Sequence, residues 1–212
     1  MEAMGTVNCC AVFGARPVSE AMRPYFEDAD CIIAADGGFL SLEKLGVRPD
    51  ICLGDYDSAP MPQRDDLIVL PRQKDDTDMH YAARRILKLG ARRAVLLGGM
   101  GGRLDHTLAN FATLVFLTEN GVDALLADET CEVRVLLQGV HRVPRREGCY
   151  LSLFPVGTSA RVTLRNVFYT LESEVLSAGF PLGVSNEFLD GDAEIRVEEG
   201  SVYMLICKKE PF

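Results

Sequence analysis

Through its first 127 residues the chain alternates short, almost uninterrupted apolar runs with stretches of helical periodicity, and this alternation limits the fold more than any other feature. The runs are 9–13 (CCAVF), 31–35 (CIIAA), 51–53 (ICL), 67–70 (LIVL), 94–98 (AVLLG) and 123–127 (DALLA). None of them alternates apolar with polar residues, which is the mark of parallel strands covered on both faces. Between them, residues 78–89 set Met79, Ala82, Ala83, Ile86 and Leu89 on one helical face, and Gly90 follows as a stop. Residues 105–119 do the same with Leu108, Phe111, Ala112 and Val115, closed by Gly121. The pattern predicts an α/β domain with a doubly wound, mostly parallel sheet over residues 1–128.

Beyond about residue 130 the helical pattern stops. Strand-like runs follow at 132–137, 149–154 and 160–164, and then at 193–197 and 202–207, which flank EEGS and read as a hairpin. A smaller antiparallel β-sandwich domain is expected over 129–212.

The chain has 212 residues and a formal net charge of -9, which argues against a nucleic-acid partner, because phosphate backbones are bound by basic faces. No stretch approaches the ~20 apolar residues of a membrane helix, and the first residues lack a basic segment followed by an apolar one. A cytoplasmic protein without membrane contact is expected. Of the seven cysteines, no pair has CxxC spacing, so all are read as reduced, mostly buried thiols.

Charge is concentrated where the apolar runs end. Asp36 follows CIIAA and precedes Gly37-Gly38; Asp55 and Asp57 follow ICLG; Lys74, Asp75, Asp76 and Asp78 follow LIVLP; Arg103 and Asp105 follow AVLLGG. In a parallel sheet these four loops share the edge at which α/β folds bind ligands. Each cluster alone has a simpler explanation: a turn at Asp36, a helix cap at Asp76 or Thr77, a flexible loop at residues 98–102. Together, at least six carboxylates on one edge repel one another unless a cation intervenes. Asp55 and Asp57 leave an extended segment on the same side, and Asp78 completes an oxygen-rich set suited to magnesium. The glycines at 98, 99, 101 and 102 let backbone amides approach an anion, Arg103 offers a planar fork, and Lys74 a point charge. The set reads as a metal with a polyphosphate. His106 stands next to Asp105 with Asn110 one turn on, whereas His80 and His141 have no comparable neighbours.

The ordered series Ala35-Asp36-Gly37-Gly38, Gly54-Asp55-Tyr56-Asp57-Ser58, Lys74-Asp75-Asp76-Thr77-Asp78 and Gly101-Gly102-Arg103-Leu104-Asp105-His106 resembles the thiamine pyrophosphokinase family. The similarity resumes at Gly183-Val184-Ser185-Asn186-Glu187-Phe188. The resemblance implies transfer of a diphosphate from ATP to thiamine, leaving AMP, by a magnesium-dependent homodimer. It implies Asp55, Asp57 and Asp78 as metal ligands and, with Arg103 and Asp105, as the catalytic set. Asp36, Lys74, Asp75, Arg103, Asp105 and His106 would face ATP, and Ser185 and Asn186 thiamine. The family's eukaryotic members use a Trp near the thiamine ring; this chain has none, leaving Tyr169 and Phe188 as aromatic candidates. A DxD nucleotide-sugar transferase, a pterin diphosphokinase and a non-catalytic sensor are the competing readings.

Overall fold

The computed structural model describes residues 7–56, 61–71, 73 and 75–209. The chain divides into two compact units, Met1–Glu129 and Thr130–Phe212.

The first unit contains the strands β1 (Cys9–Phe13), β2 (Cys31–Ala35), β3 (Ile51–Gly54), β4 (Ile68–Val69), β5 (Arg93–Leu97) and β6 (Asp123–Ala127). They form a parallel sheet in the order β6-β5-β1-β2-β3-β4. The chain starts in the middle, winds outward through β4, then returns to the other side of β1. The winding therefore reverses between β1 and β5, the position where open α/β sheets form a ligand crevice. All five residues of β1 and of β2 are buried, which is why their sequences do not alternate.

Among the described residues the α-helices between the strands are α1 (Phe39–Lys44), α2 (Asp78–Leu89) and α3 (Leu104–Glu119), with short 3-10 turns at Glu20–Tyr25 and Asp36–Gly38. In α2 the Thr77 hydroxyl accepts from the His80 N–H at 3.2 Å, and Gly90 ends the helix at φ 72°. Met79, Ala82, Ala83 and Ile86 are buried as the periodicity predicts, and Leu89 is half-buried. In α3 the apolar stripe is not the inner face. Asn110, Thr113, Leu114 and Leu117 are buried, while Leu108 is 61% exposed and Phe111 and Val115 are half-buried. Two polar residues can face inward because each finds a local partner: Asn110 Nδ2 donates to Gly99 O (2.7 Å) and Thr113 Oγ1 to Ala109 O (3.0 Å).

The second unit is a sandwich of two antiparallel sheets. One has the order β12-β9-β14-β7, from Asn186–Glu187, Cys149–Pro155, Val202–Lys208 and Cys131–Leu136. The other has the order β11-β10-β13-β8, from Leu171–Ser177, Ser159–Arg165, Ala193–Glu199 and Gly139–Val143. The expected hairpin of β13 and β14 does not form: β13 pairs with β10 and β8, β14 with β7 and β9. The tight link turns the chain from one sheet into the other, so Ala193, Ile195 and Val197 meet Val202, Met204 and Ile206 in one core. Burial of two alternating apolar faces against each other outweighs the pairing that the short loop suggests. The thiols also differ from expectation. Cys131 and Cys207 stand opposite each other on β7 and β14 and are joined as a disulfide; Cys9, Cys10, Cys31, Cys52 and Cys149 are free.

Gly38 shows how tightly the first unit is closed around its ligand edge. A Cβ there would lie 1.9 Å from Phe13 O. Gly38→Ala is expected to cost about 3 kcal/mol or more in urea unfolding, whereas Gly46→Ala, with open space but φ +66°, costs about 1 kcal/mol.

Candidate active site

The segments that follow β1, β2, β3 and β5, with the start of α2, line one cleft of about 470 Å³ at the C-terminal edge of the first sheet. Gly14, Ala15 and Arg16 come from the end of β1, Ala35 and Asp36 from β2, Asp55 from β3, Thr77, Asp78 and Met79 from the start of α2. Gly98, Gly99, Gly101, Arg103, His106 and Asn110 come from the β5–α3 connection. The floor lies at the reversal point. A Cβ on Gly14 would meet Gly98 O at 2.7 Å, and one on Gly98 would meet Gly14 O at 2.8 Å. The two loops approach so closely that only glycine fits at either position.

Carboxylate oxygens of Asp36, Asp55 and Asp78 lie within 4.8 Å of one another. Asp36 reaches this point from a left-handed backbone conformation, φ 48°, and the next loop's Tyr56 from φ 52°. Gly54 lets the two loops close up, since a Cβ there would stand 2.9 Å from Asp36 Cα. Burial, reinforced by Cys52 and by the negative charges of Asp36 and Asp78, pushes the Tyr56 phenol up to about 12. The donor set is three hard carboxylate oxygens, which fits a divalent magnesium-type cation and not a thiolate- or imidazole-seeking metal.

At the start of α3, the Arg103 guanidinium grips Asp105 through two bonds, Nη2 to Oδ2 at 2.5 Å and Nε to Oδ1 at 3.1 Å. This guanidinium, with the His106 N–H (3.0 Å), holds the Asp105 carboxyl down at about 2. The buried Asn110 amide fixes the glycine loop through Gly99 O.

In the second unit, Asn186 is 4% exposed and its amide makes three hydrogen bonds. Its Oδ1 accepts from the Tyr169 N–H (2.9 Å) and the Glu187 N–H (2.9 Å), and its Nδ2 donates to Tyr169 O (2.7 Å). This clamp presents Phe168 and Tyr169, 63% and 62% exposed, as an edge-to-face pair with centroids 4.8 Å apart. Ser185 is exposed at φ 56°, its N–H held by Ser152 Oγ at 2.9 Å.

Two family models match this chain. Residues 22–126 match the thiamin pyrophosphokinase catalytic domain, and residues 140–202 match the thiamin pyrophosphokinase vitamin B1 binding domain. The chain belongs to the thiamin pyrophosphokinase family. The thiamine pyrophosphokinase of Bacillus subtilis is 25% identical over 211 residues, 95% of this chain and 98% of that one. Among solved structures, the enzyme of that name from Geobacillus thermodenitrificans is 29% identical with a TM-score of 0.83, covering 95% of this chain and 98% of its own. The Bacillus subtilis structure shares the fold at a TM-score of 0.85, with 22% identity over 96% of this chain and 100% of that chain.

Within this thiamin pyrophosphokinase fold, the structure brings together Asp36, Asp55, Asp78, Arg103 and His106 of the residues expected from sequence. Asp36, expected beside ATP, is a full member of the carboxylate group. Asp105 touches the cleft through Arg103, and Asp75 is exposed outside its lining. Asp57 and Lys74 lie outside the described residues. Phe188 is half-buried against the sandwich core and bridged to Val167, so it packs the interior. Sequence reasoning missed Arg16, although it follows an apolar strand run as the four flagged clusters do.

Two outcomes are expected. In Arg103→Ala the Asp105 carboxyl returns to the ordinary range of about 4, read by carboxyl-carbon NMR. Because its folded value is depressed, this contact contributes stability in wild type above the ordinary carboxylate range, and loses it as pH falls toward about 2. Asn186→Ala leaves the Tyr169 peptide without its partners and costs about 2 kcal/mol in urea unfolding.

Proposed function

We propose that this chain is an ATP-dependent thiamine diphosphokinase, which transfers a diphosphate from ATP to thiamine and yields thiamine diphosphate and AMP. The observation that carries the reading is the meeting of Asp36, Asp55 and Asp78 in the crevice where the sheet reverses, in a chain whose second half matches a vitamin B1 binding domain. Such a crevice accepts a nucleotide, and three acidic groups so close together repel an anion unless a divalent cation offsets them.

Asp36, Asp55 and Asp78 would hold magnesium. The cation, when bound, would neutralise charge on the phosphate oxygens of ATP. The chain supplies the rest by position. The glycine loop, fixed by Asn110, lets backbone come close to the phosphates. Arg103 presents a fork that fits phosphate oxygens, and His106 lines the same cleft. The thiamine hydroxyl oxygen bonds to the β-phosphorus, the bond from that phosphorus to the α-phosphate bridging oxygen breaks, and AMP leaves as the hydroxyl proton is lost. Placement and charge neutralisation supply most of the rate in such transfers.

On the vitamin side, Tyr169 offers an exposed aromatic face, Ser185 an exposed hydroxyl, and Asn186 acts by holding Tyr169. We read the working form as a cytoplasmic homodimer that binds ATP and thiamine, with neither nucleic acid nor membrane as partner. Among the described residues no helix is long and apolar enough to cross a membrane, and Cys9, Cys10, Cys31 and Cys52 are buried and free.

Purified protein with ATP and magnesium is expected to release AMP only when thiamine is added, with thiamine diphosphate identified by mass spectrometry. Asp55→Asn should lower that turnover at least about 100-fold while circular dichroism stays unchanged. AMP release that ignores thiamine, or normal turnover in the variant, would sink the assignment.

A further inference from the structure

Arg16 is the cleft residue that no motif singles out, and its setting is unusually fixed for an exposed side chain. Its loop leaves β1 at the reversal point, where Gly14 N–H donates to Leu97 O (2.7 Å) and Arg16 N–H to Gly98 O (3.1 Å). Pro17 follows, which restricts Arg16 to extended backbone. Val18 N–H is then anchored on the buried Ser41 hydroxyl at 3.1 Å. Four consecutive constraints thus hold the backbone from which the guanidinium projects.

The side chain ends at the glycine loop. A Cβ on Gly102, whose φ is +71°, would stand 3.2 Å from Arg16 Nη1 and 3.3 Å from Cζ. The guanidinium therefore packs close to Gly102, where a Cβ would crowd it and force it to give way by a few tenths of an ångström. Gly102 serves two requirements together, the left-handed turn and the space for Arg16. The other cleft arginine, Arg103, has its fork closed on Asp105. Arg16 makes no side-chain hydrogen bond or ion pair with the described residues, in a chain of net charge -9. An unpaired guanidinium on a fixed backbone, beside a glycine loop and facing a crevice otherwise dominated by carboxylates, has the chemistry of a phosphate receptor.

We infer that Arg16 binds the phosphate chain of the nucleotide, as a cationic arm paired with Gly102 and separate from the Arg103–Asp105 pair. This rests on ATP being the ligand of the cleft. Arg16 donates its planar pair of N–H groups to phosphate oxygens from the β1 side, while the β5–α3 loop approaches from the other. The bound triphosphate is then held between the two halves of the winding.

The test is equilibrium binding of α,β-methylene-ATP and of adenosine to wild type, Arg16→Ala and Arg16→Lys, with magnesium, followed by calorimetry or competition against a fluorescent nucleotide. Arg16→Ala should weaken the triphosphate analogue by about tenfold or more and leave adenosine within about twofold. Arg16→Lys should recover part of the loss, because it keeps the charge without the fork. In Gly102→Ala the new methyl crowds the guanidinium and strains the left-handed turn, and a smaller loss of the same selective kind should follow. An equal loss for both ligands would mean that Arg16 only supports the loop, and an unchanged analogue affinity in Arg16→Ala would mean that it does not touch the phosphates; either overturns the inference while the ATP reading stands. Wild-type protein that binds neither the analogue nor ATP would overturn both.

Discussion

Like charges repel at close range, and much of the first unit can be understood as the means of holding three carboxylates within 4.8 Å of one another. The side chains come from three separate strand ends, so their spacing is set by the register of β2 and β3 and by the entry into α2. Fully buried strands give that register little freedom to slip. Two positive φ values, at Asp36 and Tyr56, are retained at the same place. Such conformations persist where surrounding packing over-determines them, and here the close seat of Asp36 against Gly54 does so.

The sheet was legible because burial on both faces leaves a simple trace, an apolar run without alternation, and because parallel strands must release their polar loops on one edge. The same reasoning located Asp36, Asp55, Asp78, Arg103 and His106 with no knowledge of their distances. It failed where a local polar partner replaced apolar contact. Asn110 and Thr113 look like solvent residues on a helical wheel, yet carbonyl groups of Gly99 and Ala109 make them interior ones, and Leu108 is turned outward instead. It also failed where topology overrode proximity. EEGS between two strands reads as a hairpin, but the sandwich places the strands in different sheets because their apolar faces need each other. Arg16 escaped for another reason: one arginine carries no pattern, and its significance lies in Gly102 across a loop eighty-odd positions away in sequence.

The second unit applies a different economy. The sandwich core fixes Asn186, Asn186 fixes the Tyr169 peptide, and the exposed aromatic pair inherits its position from that clamp. An amide in a motif is easily taken for a ligand-binding group. Here all its bonds run to backbone, so its influence on anything bound beside Tyr169 is indirect. Ser152 bears the same relation to Ser185.

On the floor of the first unit's cleft Gly14 and Gly98 meet main chain to main chain. A contact between bare backbones offers natural variation nothing to alter: any substituent at either position would push the two loops apart. Descendants of such a protein can therefore change what they accept most readily around the rim, at exposed residues such as Arg16 and His106, while the glycine contact passes unchanged from one specificity to the next. Chemistry at the base of the crevice is inherited, and selectivity at its mouth is free to drift.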